Sequence, residues 1–155
     1  MYKELCSLIT AHNSLFFMNE HVFPKTERLK SSKLFRKVIL EGQSVFQHPL
    51  KLHYLVTSQD APFSDGSILT GFSISKRKYP KATTRNLLKR RMKEAFRLNK
   101  VLAYQSIDSM PNYHLDLVVI YQVGEICDYQ QIEQALIKAL QKLKNQLRST
   151  DLNTR

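Results

Sequence analysis

Cysteines, long apolar runs and catalytic signatures are all scarce in this chain. Its two cysteines, Cys6 and Cys127, stand far apart. That spacing excludes a disulfide framework or a paired zinc-ligand set and points to a reducing, cytoplasmic compartment. No apolar run approaches the roughly 18 residues of a membrane span. The opening MYKELCSLITAH carries a glutamate inside its short apolar patch, unlike a signal peptide. The histidines, at 12, 21, 48, 53 and 114, lack the i, i+4 pairing of a metal-binding helix. Asp60, Asp65, Asp108, Asp116 and Asp128 are scattered and form no catalytic pair. There is no GxSxG, no glycine-rich phosphate loop and no Cys/His nucleophile arrangement. Neither a catalytic residue nor a metal site is indicated.

Acids are the other shortage, and theirs is local. The chain holds 24 Lys and Arg against 13 Asp and Glu, a formal charge of +11. Between Lys76 and Lys100 there are eleven basic residues and one acid, Glu94, so that window carries +10. The rest of the chain is close to neutral. A solvated helix face usually mixes signs so that neighbours three and four apart attract. This crowding instead suits a polyanion, and a nucleic acid fits it better than an anionic membrane, because the short apolar stripe of the same helix is needed for a core.

The length allows one domain with one core, and 43% hydrophobic residues is a globular composition. Residues 1–22 read as an N-terminal extension. It is either an extra helix or a translated upstream region, since Met18 offers a second start. The domain proper is assigned to 23–148 and a tail to 149–155. Ser31 or Ser32 caps a helix with Leu34, Phe35, Val38 and Ile39 on its apolar face, ending at Gly42. VFQHPLKLHYLVT reads as one half-buried strand, with Leu50, Leu52, Tyr54 and Val56 inward and Lys51 and His53 on an open face. After the turn residues QDAPFSDG, ILTGFSISK forms a second strand. Ile68, Phe72 and Ile74 point inward there, while Gly71, Ser73 and Ser75 leave a shallow opposite face. The two strands are expected to pair as an antiparallel hairpin. Pro80 opens the basic helix. Leu88, Met92, Ala95 and Phe96 form its buried stripe, and Arg85, Asn86, Lys89, Arg90, Lys93 and Arg97 its ligand face. YHLDLVVIYQ is a third strand, and an amphipathic helix from Tyr129 to Leu147 closes the chain. The order α-β-β-α-β-α gives an α+β two-layer sandwich, a small sheet with helices packed on it. Lys51 and His53 beside a shallow strand surface, with Phe35 at its edge, offer a groove for unpaired bases.

RLKSSKLFRKVILEGQSVFQHPLKLHYL followed by GFSISKRKYPKATTRNLLKRRMKEAFR resembles the protein component of bacterial ribonuclease P, from about Arg28 to about Lys144. Arg85, Asn86, Lys89 and Arg90 match its basic-helix motif, with Leu87 where a second arginine is expected. Lys93 and Arg97 extend that face, and Lys76, Arg77 and Lys78 correspond to the basic strand end and loop. The resemblance implies a ribonucleoprotein endonuclease that removes the 5′ leader of precursor tRNA, with Mg²⁺ held by its RNA subunit and none by the protein. It implies two partners, the catalytic RNA at the basic helix and precursor tRNA, and a monomer within a 1:1 ribonucleoprotein. The leader would lie in a cleft at Phe35, Ile39, Lys51, His53 and Ser73. Two of the expected cleft aromatics fall on Ile39 and His53. A left-handed β-α-β crossover comes from the resemblance alone; the general preference is for the other hand. Two other readings stay open: a ribosomal or RNA-chaperone binding module with no catalytic partner, and a self-sufficient ribonuclease using His53 with Lys51.

Overall fold

The computed structural model describes residues 22–58, 68–108, 110 and 113–153. The extension before Val22 and the QDAPFSDG turn lie outside the described residues. A 3-10 turn (Lys25–Glu27) leads into α1 (Ser32–Glu41), β1 (Gln43–Gln47), β2 (Leu50–Ser58), β3 (Ile68–Ile74), α2 (Ala82–Ile107), β4 (Tyr113–Tyr121) and α3 (Tyr129–Asn153). The strands form one mixed sheet in the order β1-β2-β4-β3. β1–β2 and β2–β4 pair antiparallel, while β3–β4 pair parallel.

Two expectations change. The segment read as one strand is two, folded back at His48–Pro49, whose peptide bond is cis. Proline has no N–H for a continuing ladder, so the chain turns where strand alternation alone would run on. The anticipated hairpin between β2 and β3 also does not form, because β4 lies between them. Alternation identifies the face that each residue takes, which holds here, but not which strand lies beside it. With β1 added, the order of the other elements is as read. α2 continues past the basic stretch to Ile107, and α3 runs on to Asn153, beyond the tail boundary at 149.

The core lies between one face of the sheet and the pair α2–α3. Leu50, Leu52 and Tyr54 of β2 and Leu115, Leu117, Val119 and Tyr121 of β4 face Leu88, Met92 and Phe96 of α2 and Leu136, Leu140 and Leu143 of α3. Phe23, Phe72 and Phe96 meet edge to face with centroids 5.5–5.9 Å apart, which draws the segment before α1 onto this core.

The first helix lies against the other face. Ser31 caps it by accepting the Leu34 N–H at 3.3 Å. Val38 and Val118, both fully buried, lie outside the main core, and α1 packs on β2 and β4. Gly71 makes this docking close: a Cβ there would stand 3.1 Å from the Phe35 ring. Gly42 brings the end of α1 onto β2, where a Cβ would come within 2.5 Å of the Tyr54 carbonyl oxygen.

Candidate nucleic-acid interface

Two surfaces carry the residues singled out by the sequence. The first begins where β3 ends. The Tyr79 N–H donates to the Ser75 carbonyl at 3.0 Å, closing a turn that leaves Lys76, Arg77 and Lys78 exposed. That turn is tied to the loop after β4. The Lys78 ammonium donates to the Gln122 carbonyl. The Tyr79 hydroxyl lies 2.8 Å from the Val123 carbonyl oxygen and 2.7 Å from that of Glu125. Tyr121 anchors the same loop, accepting the Cys127 N–H at 2.9 Å and donating to the Glu125 carbonyl at 3.0 Å. Burial, then its proximity to Cys127, pushes the Tyr121 phenol well above its usual range, so it stays protonated.

Along α2 the basic residues divide by role. Asn86, Arg90 and Lys93 are exposed, while Arg85 and Lys89 lie half-buried on the flank. The Arg85 guanidinium donates to the Tyr79 and Pro80 carbonyls at 2.7 and 2.6 Å, bracing the entry to the helix. Arg97 is half-buried and holds Glu94 through two bonds of 2.9 and 2.6 Å. This pairing holds the Glu94 carboxyl below its usual pKa. Lys100 belongs to the interior: its ammonium donates to Glu27 at 2.9 Å and to the Val22 carbonyl at 2.6 Å.

Reading one helix face missed two further cations. Arg28, from the segment before α1, and Arg91, on the α3 side of α2, border a depression of about 550 Å³ together with Leu87, Arg90, Lys93, Glu94, Arg97 and Tyr129. Arg28 is held over the Phe23 ring at 5.4 Å, and Arg91 donates to the Cys127 carbonyl at 2.5 Å. Burial and then its bond to Glu133 push the Tyr129 phenol up to about 12. The basic ridge is thus the wall of a broad concavity between α2, α3 and the N-terminal segment.

The second surface is the α1 face of the sheet. Strand register draws a row across all four strands, Phe46–Lys51–Ile120–Ser73. The next row is Ser44–His53–Val118–Gly71. Lys51 and Ser73 are half-buried, as are Phe35 and Ile39 on α1. His53 departs from the expectation of an open position, being only 9% exposed with an Nδ1 that has no hydrogen-bond partner among the described residues. Burial first, and the Lys51 ammonium second, lower its pKa. The shallow patch expected at Gly71 is filled by the Phe35 ring, so the open part of this face is the Lys51–Ser73 row. Asp116, on the same face, is buried and held by His114 at 2.8 Å. Among the described residues no group of three or more His, Cys, Asp or Glu is placed to hold a metal ion. No described helix is long and apolar enough to cross a membrane.

Residues 23–144 match the family model of Ribonuclease P. The chain belongs to the ribonuclease P protein family. It is 33% identical over 132 residues to a ribonuclease P protein component of Clostridioides difficile, covering 84% of this chain and 97% of that one. With a ribonuclease P protein component of Chlorobium phaeobacteroides it shares 30% identity over 117 residues, covering 73% and 80%. The solved RNase P protein of Thermotoga maritima is 26% identical with a TM-score of 0.55, covering 75% of this chain and 96% of that one. The fold is also that of the Staphylococcus aureus RNase P protein, at 23% identity and a TM-score of 0.56, covering 76% and 95%. Ribonuclease P is an endoribonuclease of tRNA 5′ maturation whose chemistry resides in its RNA subunit, which accounts for a chain with no evident nucleophile or base.

Proposed function

We propose that this protein assists a catalytic RNA in removing the 5′ leader from precursor tRNA, binding the RNA along α2 and the Lys76–Lys78 turn and the leader on the α1 face of the sheet. The unit that carries this role is residues 23–148, acting as a monomer in a 1:1 ribonucleoprotein in the cytoplasm. Mg²⁺ held by the RNA supplies the hydrolytic chemistry, while the protein's residues bind and orient. Arg90, Lys93, Lys76 and Arg77 present charge for phosphates. Lys51, Ser73, Phe35 and Ile39 border a shallow strip for a single strand.

The observation that carries this reading is the division of surfaces. α1 and the basic helix α2 pack on opposite faces of the sheet, so two RNA segments can be held at once without competing. A self-sufficient ribonuclease using His53 with Lys51 is disfavoured by the burial of His53. Reconstitution tests the reading: purified protein and precursor tRNA are incubated at low Mg²⁺ with and without the catalytic RNA. Cleavage only with both is expected. Cleavage by protein alone overturns it, and tight RNA binding that never stimulates cleavage supports a chaperone-like module instead.

A further inference from the structure

We propose that Phe46 is a stacking platform for a nucleobase of the precursor-tRNA leader. The inference rests on the reading that the leader lies on the α1 face. β1, the strand that sequence alternation concealed, carries Phe46 with 53% of its surface exposed. Its neighbour Val45 is 3% exposed, which fixes the strand's facing. The Phe46 carbonyl accepts the Lys142 ammonium at 3.3 Å, tying the strand to α3.

Register places the ring. Phe46 stands directly opposite Lys51, so the two side chains share a face about 5 Å apart at Cβ. The row then crosses Ile120 to Ser73, a span of roughly 14 Å over three strand spacings. Two residues beyond Ser73, past Ile74, the chain leaves β3 for Lys76 and Arg77. An extended strand of RNA crossing this row would meet cations at the turn, a shallow polar and apolar floor, an ammonium at Lys51 and then an exposed ring. That is the alternation of charge and aromatic surface which binds unpaired nucleotides.

A lone exposed apolar side chain is ordinary. Three features separate Phe46 from that case. No other Phe, Tyr or Trp stands on the α1 face of the described strands. The ring stands directly across the strand pair from a cation, Lys51. It also lies on an edge strand, where exposed apolar surface invites unwanted pairing.

The test measures the affinities of the holoenzyme, catalytic RNA with protein, for precursor and mature tRNA. The variants are Phe46→Ala, Phe46→Leu, Phe46→Tyr and Lys51→Ala, each checked for fold by circular dichroism and melting. Expected is about a tenfold loss of precursor affinity in the Ala and Leu variants, full retention in Phe46→Tyr, and no change for mature tRNA, which has no leader. Leu keeps the apolar bulk without the stacking face, so the Leu and Tyr variants decide the matter if Ala fails to fold. Should Phe46→Leu bind precursor as wild type does while Lys51→Ala lowers the precursor-to-mature ratio, the stacking role is overturned and the leader face stands. If no variant shifts that ratio, or both tRNAs weaken together, the stacking role and the leader face fall together.

Discussion

Lys100 is counted in the basic window, yet its side chain is 6% exposed and that of its partner Glu27 is 17% exposed. The Tyr104 hydroxyl donates to the same carboxylate at 2.9 Å, and the ammonium also lies 5.9 Å from the Tyr104 ring centroid. Replacing Lys100 by Met keeps most of the stem's volume and removes only the charge. Glu27 is then left largely desolvated with one hydroxyl donor of those bonds. Removing one partner of a buried pair costs about 3–5 kcal/mol. The residual exposure of Glu27 argues for the lower end, about 3 kcal/mol, which in a domain of this size lowers Tm by roughly 10 °C.

Thermal unfolding followed by circular dichroism at pH 7 reads that number. A Lys100→Met, Glu27→Leu double variant should regain most of it, since replacing both charges by apolar groups is often close to neutral. The same proteins should bind the catalytic RNA with an unchanged salt slope, because Lys100, buried on Glu27, neutralises no phosphate and so releases no counterions. Arg90→Ala with Lys93→Ala should do the reverse, leaving Tm nearly as it was and reducing the slope by roughly 1.5. A Lys100→Met protein that melts within 2 °C of wild type, or whose slope falls by nearly a full contact, refutes the assignment.

The lowered pKa of His53 predicts acid sensitivity: below about pH 6.5 the unfolded chain takes a proton that the native state refuses. Stability then declines as pH falls, by up to ~1.4 kcal/mol per unit, until the folded group itself titrates; His53→Gln should flatten that part of a Tm-versus-pH curve. Tyr121→Phe removes the acceptor of the Cys127 N–H and the donor to Glu125. It should cost about 1–2 kcal/mol in urea unfolding with RNA affinity kept. Arg85→Ala, which releases the Tyr79 and Pro80 carbonyls, should lower both stability, by about 1 kcal/mol, and RNA affinity. Its salt slope should change less than that of Arg90→Ala.

Residue periodicity made most of the fold legible. The buried stripe Leu88, Met92, Ala95 and Phe96 and the inward set Leu50, Leu52 and Tyr54 lie in the core as read, because alternation and helical spacing are consequences of local geometry. Ser31 caps α1 through its hydroxyl as its chemistry dictates, and Gly42 ends the helix as read, although in an extended conformation and not a left-handed one. Neighbour relations were not legible. That β4 inserts between β2 and β3 is decided by packing across the whole sheet. The turn at Pro49 was written in the sequence, but strong alternation on both sides hid it, and Phe46 was hidden with it. Lys51, His53, Gly71 and Ser73 share one face of the sheet as read, yet depth escaped: nothing in the string says that Phe35 fills the space over Gly71 or that His53 ends up covered.

The same limit applies to charge, and with a measurable result. Eleven basic residues in the window suggest up to eleven phosphate contacts, and at 0.7–0.9 per contact that is a salt slope of about 8–10. In the fold, Lys100 is neutralised by Glu27 and Arg97 is paired with Glu94. Lys78, Arg85 and Arg91 spend their donors on backbone carbonyls. Lys76, Arg77, Lys81, Arg90 and Lys93 are the exposed cations of that window for which the described residues supply no intramolecular side-chain partner. Lys81 stands at the N-cap of α2, and Lys89 is half-buried beside these residues. Five or six phosphate contacts give a slope between about 3.5 and 5.5 for the catalytic RNA. Binding measured from low to moderate salt distinguishes the two values without any substitution. A slope near 9 would mean that RNA pulls the structural cations out of their bonds, and the division between bracing and binding residues along α2 would have to be abandoned.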